Sequence, residues 1–116
     1  MSVIFTIVYF LVFNTGETWE RVDVETFEQS IKDNPDVLLL DVRTQGEWEQ
    51  DGYLEGAVLI PHTSLEERLD ELPEDKDELI QLYCRSGNRS VEAANTLLGL
   101  GYTNIVELKS GINGWK

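Results

Sequence analysis

The 116-residue chain holds one cysteine, in the stretch LYCRSGNRS from Leu82 to Ser90. A buried structural thiol needs none of those neighbours, whereas a reactive thiolate uses nearly all of them. Arg85 and Arg89 supply permanent positive charge. Gly87 lets the backbone turn tightly without a Cβ clash. The polar loop between can point several N–H groups inward as a nest for an anion. A helical pattern opens at Ser90 and aims its positive dipole end at the same place. Together these features favour thiolate over thiol and make Cys84 the candidate nucleophile. The competing reading is an inert small hydrophobe at a strand end, with arginines that are merely solvated. The coincidence of strand, cysteine, glycine loop, arginines and helix in one run argues for chemistry. On this pattern alone, phosphatase, redox-sensor and sulfur-transfer roles all remain open.

The elements that must position this loop follow from the rest of the chain. DVLLLDV (Asp36 to Val42) is a continuous apolar run, expected of a strand covered on both faces. TWERV (Thr18 to Val22), AVLIP (Ala57 to Pro61), LIQLY (Leu79 to Tyr83) and NIVEL (Asn104 to Leu108) read as further strands. Asp23 caps a helix through Ile31 that ends before Pro35, with Phe27 and Ile31 on one face. GEWEQDG reads as a short helical turn. Thr63 or Ser64 is expected to cap another helix, with Leu65, Leu69 and Leu72 on one side. The helix from Ser90 carries Val91, Ala94 and Leu98 on one stripe and stops at Gly101, and SGINGW begins a final helical turn. Strands alternating with helices predict an α/β domain around a largely parallel sheet, and LIQLY delivers Cys84 to the strand end where ligands collect.

The formal net charge is −13, with 22 Asp and Glu against 9 Lys and Arg. Such a surface repels phosphate backbones and argues against a nucleic-acid partner. A single cysteine forms no internal disulfide, and one Cys with one His argues against a zinc site. Residues 1–16 carry no charged side chain, and Val3 to Phe13 is almost wholly apolar. That run is shorter than the ~20 residues of a membrane span. Its length suits the centre of a secretory signal, yet no Lys or Arg precedes it and no A-x-A-like site follows. Its β-branched and aromatic residues also suit a strand or a dimerising arm. The reading leans to export to the periplasm or membrane association through residues 1–16, over a cytoplasmic location, with residues 17–116 forming the domain.

Four motifs in order make the chain resemble a single-domain rhodanese, a thiosulfate sulfurtransferase-like module. CRSGNRS resembles the family's active-site loop, and LLLDVRTQGEW its strand with an Asp-x-Arg signature and acidic-aromatic pair. GYLEGAVLIP resembles its Gly-His-Ile-Pro-Gly-Ala-x-x-Ile-Pro segment, and GYTNIVELKSGINGW its closing strand and Gly-Gly-x-x-x-Trp turn. Tyr53 replaces the usual His, Glu55 the usual Pro and Ser110 the first Gly of the closing pair, and Asp51 is a one-residue insertion. The resemblance implies a three-layer fold with a central, mainly parallel five-stranded sheet flanked by helices. It implies that Cys84 forms a persulfide, with the backbone of Arg85, Ser86, Gly87, Asn88 and Arg89 cradling the outer sulfur. Arg85 and Arg89 would grip an anionic sulfur donor such as thiosulfate, and Asp41 and Arg43 would brace the loop from beneath.

The acceptor would be cyanide, a thiol or a sulfur-accepting protein, and no metal or cofactor is implied. Phosphatases and arsenate reductases of the same fold place five residues between Cys and Arg. Here that Arg position is Ser90, and Tyr83 stands where a His is common. Regulatory modules of the fold often lose the cysteine that this chain keeps. A persulfide relay to a protein partner remains the alternative to small-molecule turnover. His62 is read as a turn residue, and Trp19, Trp48 and Trp115 as packing residues.

Overall fold

The apolar runs become strands because the sheet they build is covered on both sides. The computed structural model describes residues 19–115. Its strands are β1 (Glu20–Val22), β2 (Leu38–Asp41), β3 (Val58–Leu59), β4 (Ile80–Tyr83) and β5 (Ile105–Leu108). They lie in the order β1-β5-β4-β2-β3, and every pairing is parallel. The helices are α1 (Val24–Asp33), α2 (Gln45–Asp51) and α3 (Arg89–Gly99), with 3-10 turns at His62–Glu67, Leu69–Glu71 and Ile112–Gly114. This is the expected α/β architecture, with β4 at the centre.

Strand alternation divides the core in two. Leu40, Val42, Ile80, Leu82 and Ile105 turn to one side, where Ala93, Ala94 and Leu97 of α3 and Leu65 of the first 3-10 turn cover them. Leu39, Tyr83 and Leu108 turn to the other, against Phe27 of α1. Phe27 is fully buried and meets Tyr83 and Trp115 edge-on, each with ring centroids 6.4 Å apart. Burying such a ring stabilises the fold by roughly 2 kcal/mol relative to exposure. Asp23 caps α1 as expected, its Oδ1 accepting from the Thr26 amide at 2.9 Å.

Two sequence readings are corrected. Residues 62–71 form no α-helix capped by Thr63 or Ser64. They make two 3-10 turns broken at Arg68, with Pro61 in the cap position and no side-chain cap bond. Arg68 instead closes locally on Glu71 at 2.6 Å. The tighter turns send Leu65 and Leu72 into the core and leave Leu69 48% exposed. On α3 the buried face is Ser90, Ala93, Ala94 and Leu97, one position off the expected Val91, Ala94, Leu98 stripe. Ser90, Ala93 and Ala94, the small residues of that face, lie on the turns nearer the cysteine, and Leu97 lies further along the helix.

The boundary near Gly16 and the apolar run Val3 to Phe13 lie outside the described residues. Among the described residues no helix is long and apolar enough to cross a membrane.

Candidate active site

β4 ends at Tyr83 and hands the chain to Cys84, just before the turn into α3. The carbonyl of Cys84 accepts from the Ile112 amide at 2.8 Å, and that of Arg85 from the Asn113 amide at 3.0 Å. The base of the loop is thereby fastened to the C-terminal 3-10 turn. Gly87, at φ +95°, folds the loop back so that its amide donates to Cys84 Sγ at 3.1 Å. It is the one loop amide hydrogen-bonded to the sulfur among the described residues. Two glycines permit this closure. A Cβ on Gly87 would stand 2.0 Å from the Lys109 carbonyl oxygen, and one on Gly111 2.3 Å from the Arg85 backbone. Ser86 and Asn88 are exposed, and Asn88 caps α3 without a side-chain bond.

Cys84 itself is 1% exposed. Its Sγ lies 3.4 Å from Ser90 Oγ, and its body belongs to the apolar cluster of Leu82, Val42 and Ala94. The sulfur is therefore roofed by its own polar loop and floored by the core. Beside the loop opens a cleft of about 620 Å³, lined by Arg85, Asp51, Tyr53, Glu55, Asn113 and Trp115 among others. Tyr53 stacks on Trp48 at 3.6 Å between ring centroids, so the residue in place of the usual His forms an aromatic wall.

The two arginines differ. Arg85 is exposed, its side chain 56% accessible, and stands 4.0 Å from Glu47 Oε2. Arg89 makes a bidentate pair with Glu47 at 2.7 and 2.8 Å. Glu47 also closes a capping box with Thr44 at the start of α2, so one carboxylate locks α2 to the loop. The hydrogen bonds from Arg89 hold the Glu47 carboxyl down at about 2. A depressed carboxyl stabilises the fold above its ordinary value of 4.5 and loses that contribution as pH falls toward 2. Glu47→Gln should accordingly flatten the dependence of melting temperature on pH within that window, as acid-titrated thermal melts would read. Arg89 is held above its ordinary value first by its hydrogen bonds to Glu47, and further by the charges of Glu47 and Cys84.

Asp41 and Arg43 are fully buried and paired, Nη2 to Oδ2 at 2.7 Å and Nε to Oδ1 at 3.0 Å. Arg43 then donates to the Gly52 carbonyl at 2.7 Å, and its guanidinium lies 5.8 Å from the centre of the Tyr83 ring. The Tyr83 hydroxyl accepts from the Leu54 amide at 3.1 Å. The hydrogen bonds of this pair thus tie β2 to the Gly52–Leu54 segment, which forms the cleft wall, rather than to residues 85–89. Burial raises the Tyr83 phenol well above its ordinary value. His62 pairs with Glu92 at 3.4 Å across to α3. Trp19, Trp48 and Trp115 sit in three separate settings. Among the described residues no group of His, Cys, Asp or Glu gathers as a metal site.

Sequence reasoning missed Glu107. It is fully buried in β5 and takes hydrogen bonds from Trp19, Arg21 and Ser90. The signal was present: Ile105 and Glu107 share a strand face, so a charge occupies a core-facing position.

Cys84 thus stands at the carboxyl end of the central parallel strand of an α/β domain, roofed by a glycine loop ahead of a helix. Residues 23–116 match the rhodanese-like domain family. A sulfurtransferase of Allochromatium vinosum is 39% identical over 95 residues, 82% of this chain and 86% of its own. A putative sulfur carrier protein of Bacillus subtilis is 32% identical over 82% of this chain, which spans half of that protein's length. The solved structure of a rhodanese-like domain protein from Staphylococcus aureus superposes with a TM-score of 0.72 at 25% identity, covering 84% of this chain and 91% of that one. The chain belongs to the rhodanese-like family of sulfurtransferases.

Proposed function

We propose that the protein moves sulfane sulfur through a persulfide on Cys84, from thiosulfate or a similar anionic donor to cyanide or a thiol. The Cys84 thiolate attacks the outer sulfur of the donor. The donor's S–S bond breaks, and sulfite leaves with the electron pair. The acceptor's carbon or sulfur then attacks the outer sulfur, and Cys84 leaves as thiolate. The Gly87 amide aimed at Sγ carries this reading, because a preorganised donor at the reacting atom favours developing negative charge. The test is intact-mass spectrometry after thiosulfate treatment, expecting one added sulfur that cyanide removes. An unchanged mass with the thiol reduced would sink the proposal.

The arginines divide the work. Among the described residues Arg85 has no ion-pair partner closer than the 4.0 Å contact to Glu47, and it lines the cleft, so it meets the donor's anionic end. Arg85→Ala should raise the KM for thiosulfate about threefold to tenfold and leave the melting temperature unchanged. Arg89→Ala should lower both loading and stability, since it leaves Glu47 unpaired beside the loop. Steady-state kinetics with paired thermal melts would separate the two.

A second reading, relay to a protein acceptor, has support in the burial of Cys84 and in the likeness to a putative sulfur carrier. Loading that is complete yet turns over only on adding a protein acceptor would favour it. Rapid turnover with cyanide alone would favour the small-molecule enzyme.

A further inference from the structure

A buried carboxylate one hydroxyl away from the reactive sulfur is an odd companion for a thiol that must become an anion. Register explains how it gets there. Glu107 pairs with Leu82 on β4 and with Arg21 on β1, so it lies on the same sheet face as Cys84 and beneath the first turn of α3. Its Oε1 accepts from Trp19 Nε1 at 3.0 Å and Arg21 Nε at 2.6 Å, and its Oε2 from Arg21 Nη2 at 3.1 Å and from the Ser90 hydroxyl. Trp and Arg side chains can only donate, so these contacts suit an ionised carboxylate. Arg21 also donates to the Gly87 carbonyl at 2.9 Å, the residue whose amide faces the sulfur.

We propose that Glu107, acting through Ser90, is a positioning residue for Cys84 that fixes which groups donate to the sulfur and the pH at which the thiol ionises. A serine hydroxyl has one proton. With that proton given to Glu107, Ser90 offers Sγ only lone pairs, which accept the thiol S–H at 3.4 Å and give nothing to a thiolate. The pair therefore favours the protonated sulfur and opposes the arginines. Among the described residues the other charges about the site are Arg21 on β1, Asp41 at the end of β2 and Arg43 after it, Glu47 on α2, Arg85 in the loop and Arg89 on α3. Asp41 with Arg43, and Glu47 with Arg89, are paired off. Glu107 with Arg21 is the pair that reaches the sulfur through a movable proton.

This deepens the persulfide reading and rests on Cys84 being the working sulfur. The test titrates the thiolate by its ultraviolet absorbance, taken as the difference from Cys84→Ser, in the full chain. Glu107→Gln removes the charge, and with its carboxamide nitrogen toward Ser90, giving up the bond from Arg21 Nη2, it donates to Ser90 and so releases the hydroxyl toward sulfur. The ionisation midpoint should move to lower pH by roughly one unit. Ser90→Ala should move it the same way by less, and the Glu107→Gln shift should shrink in that background. A midpoint unmoved or raised in folded Glu107→Gln overturns the proposal; if that variant does not fold, an unmoved midpoint in Ser90→Ala does so. The titration needs no sulfur donor. An unmodified chain that takes up no sulfur while Glu107→Gln shifts the midpoint would condemn the transfer reading alone, and an unmodified chain that loads while Glu107→Gln leaves the midpoint unmoved would condemn this one alone.

Discussion

Cys84→Ser is expected to abolish sulfur loading outright while leaving the fold nearly intact. The chain has no second thiol to take over, so loading should fall to zero rather than to a residue. Serine at this position keeps an oxygen for the Gly87 amide and stays close to the Ser90 hydroxyl. The hydrogen bonds of the roof therefore survive, and the stability loss should be about 1 kcal/mol. Intact mass after thiosulfate reads the loading, and a thermal melt reads the fold. Retained loading would place the chemistry elsewhere and remove the basis for every role assigned to the loop. A variant that unfolds instead would mean that Cys84 is chiefly a core residue. Its 1% exposure makes that the comparison worth having.

The part of the site written contiguously in the sequence was the part that could be read. Strand, cysteine, glycine loop and helix follow one another from Leu79 to Gly99, so local pattern placed Cys84 at a strand end ahead of a helix; that this strand is the central one is a matter of strand order. Glu47 and Glu107 meet the loop across 42 and 17 residues of sequence, and Arg21 meets Gly87 across 66. Those meetings depend on strand order and register, which apolar runs do not specify. Glu47 was visible as half of an acidic-aromatic pair, but its pairing with Arg89 was not. That pairing separates the two arginines, because it engages Arg89 and leaves Arg85 as the more exposed one. Residues 62–71 were misread for a different reason. Leucines at 65, 69 and 72 fit an α-helical stripe and two 3-10 turns almost equally well, and only the packed structure sends Leu69 outward.

Gly87→Ala should have the other large effect, and it tests geometry rather than chemistry. The residue is held at φ +95°, a conformation that costs an L-residue about 1–2 kcal/mol. The added Cβ would also stand 2.0 Å from the Lys109 carbonyl and 3.1 Å from Arg21 Nη2. Lys109 is anchored by its amide on Val22, so the strand end cannot yield easily and the loop must move instead. Moving it withdraws the amide from Sγ and breaks the Arg21 bond to the Gly87 carbonyl together. The expected result is a stability loss of about 2–4 kcal/mol and a loading rate lower by roughly two orders of magnitude. Gly56→Ala is the control. Gly56 also has a positive φ, +85°, but an added Cβ there meets nothing within 4 Å. That variant should show the backbone cost alone, about 1–2 kcal/mol, with loading unchanged. If Gly87→Ala loads sulfur at the rate of the Gly56 control, the closed loop is not what activates the sulfur.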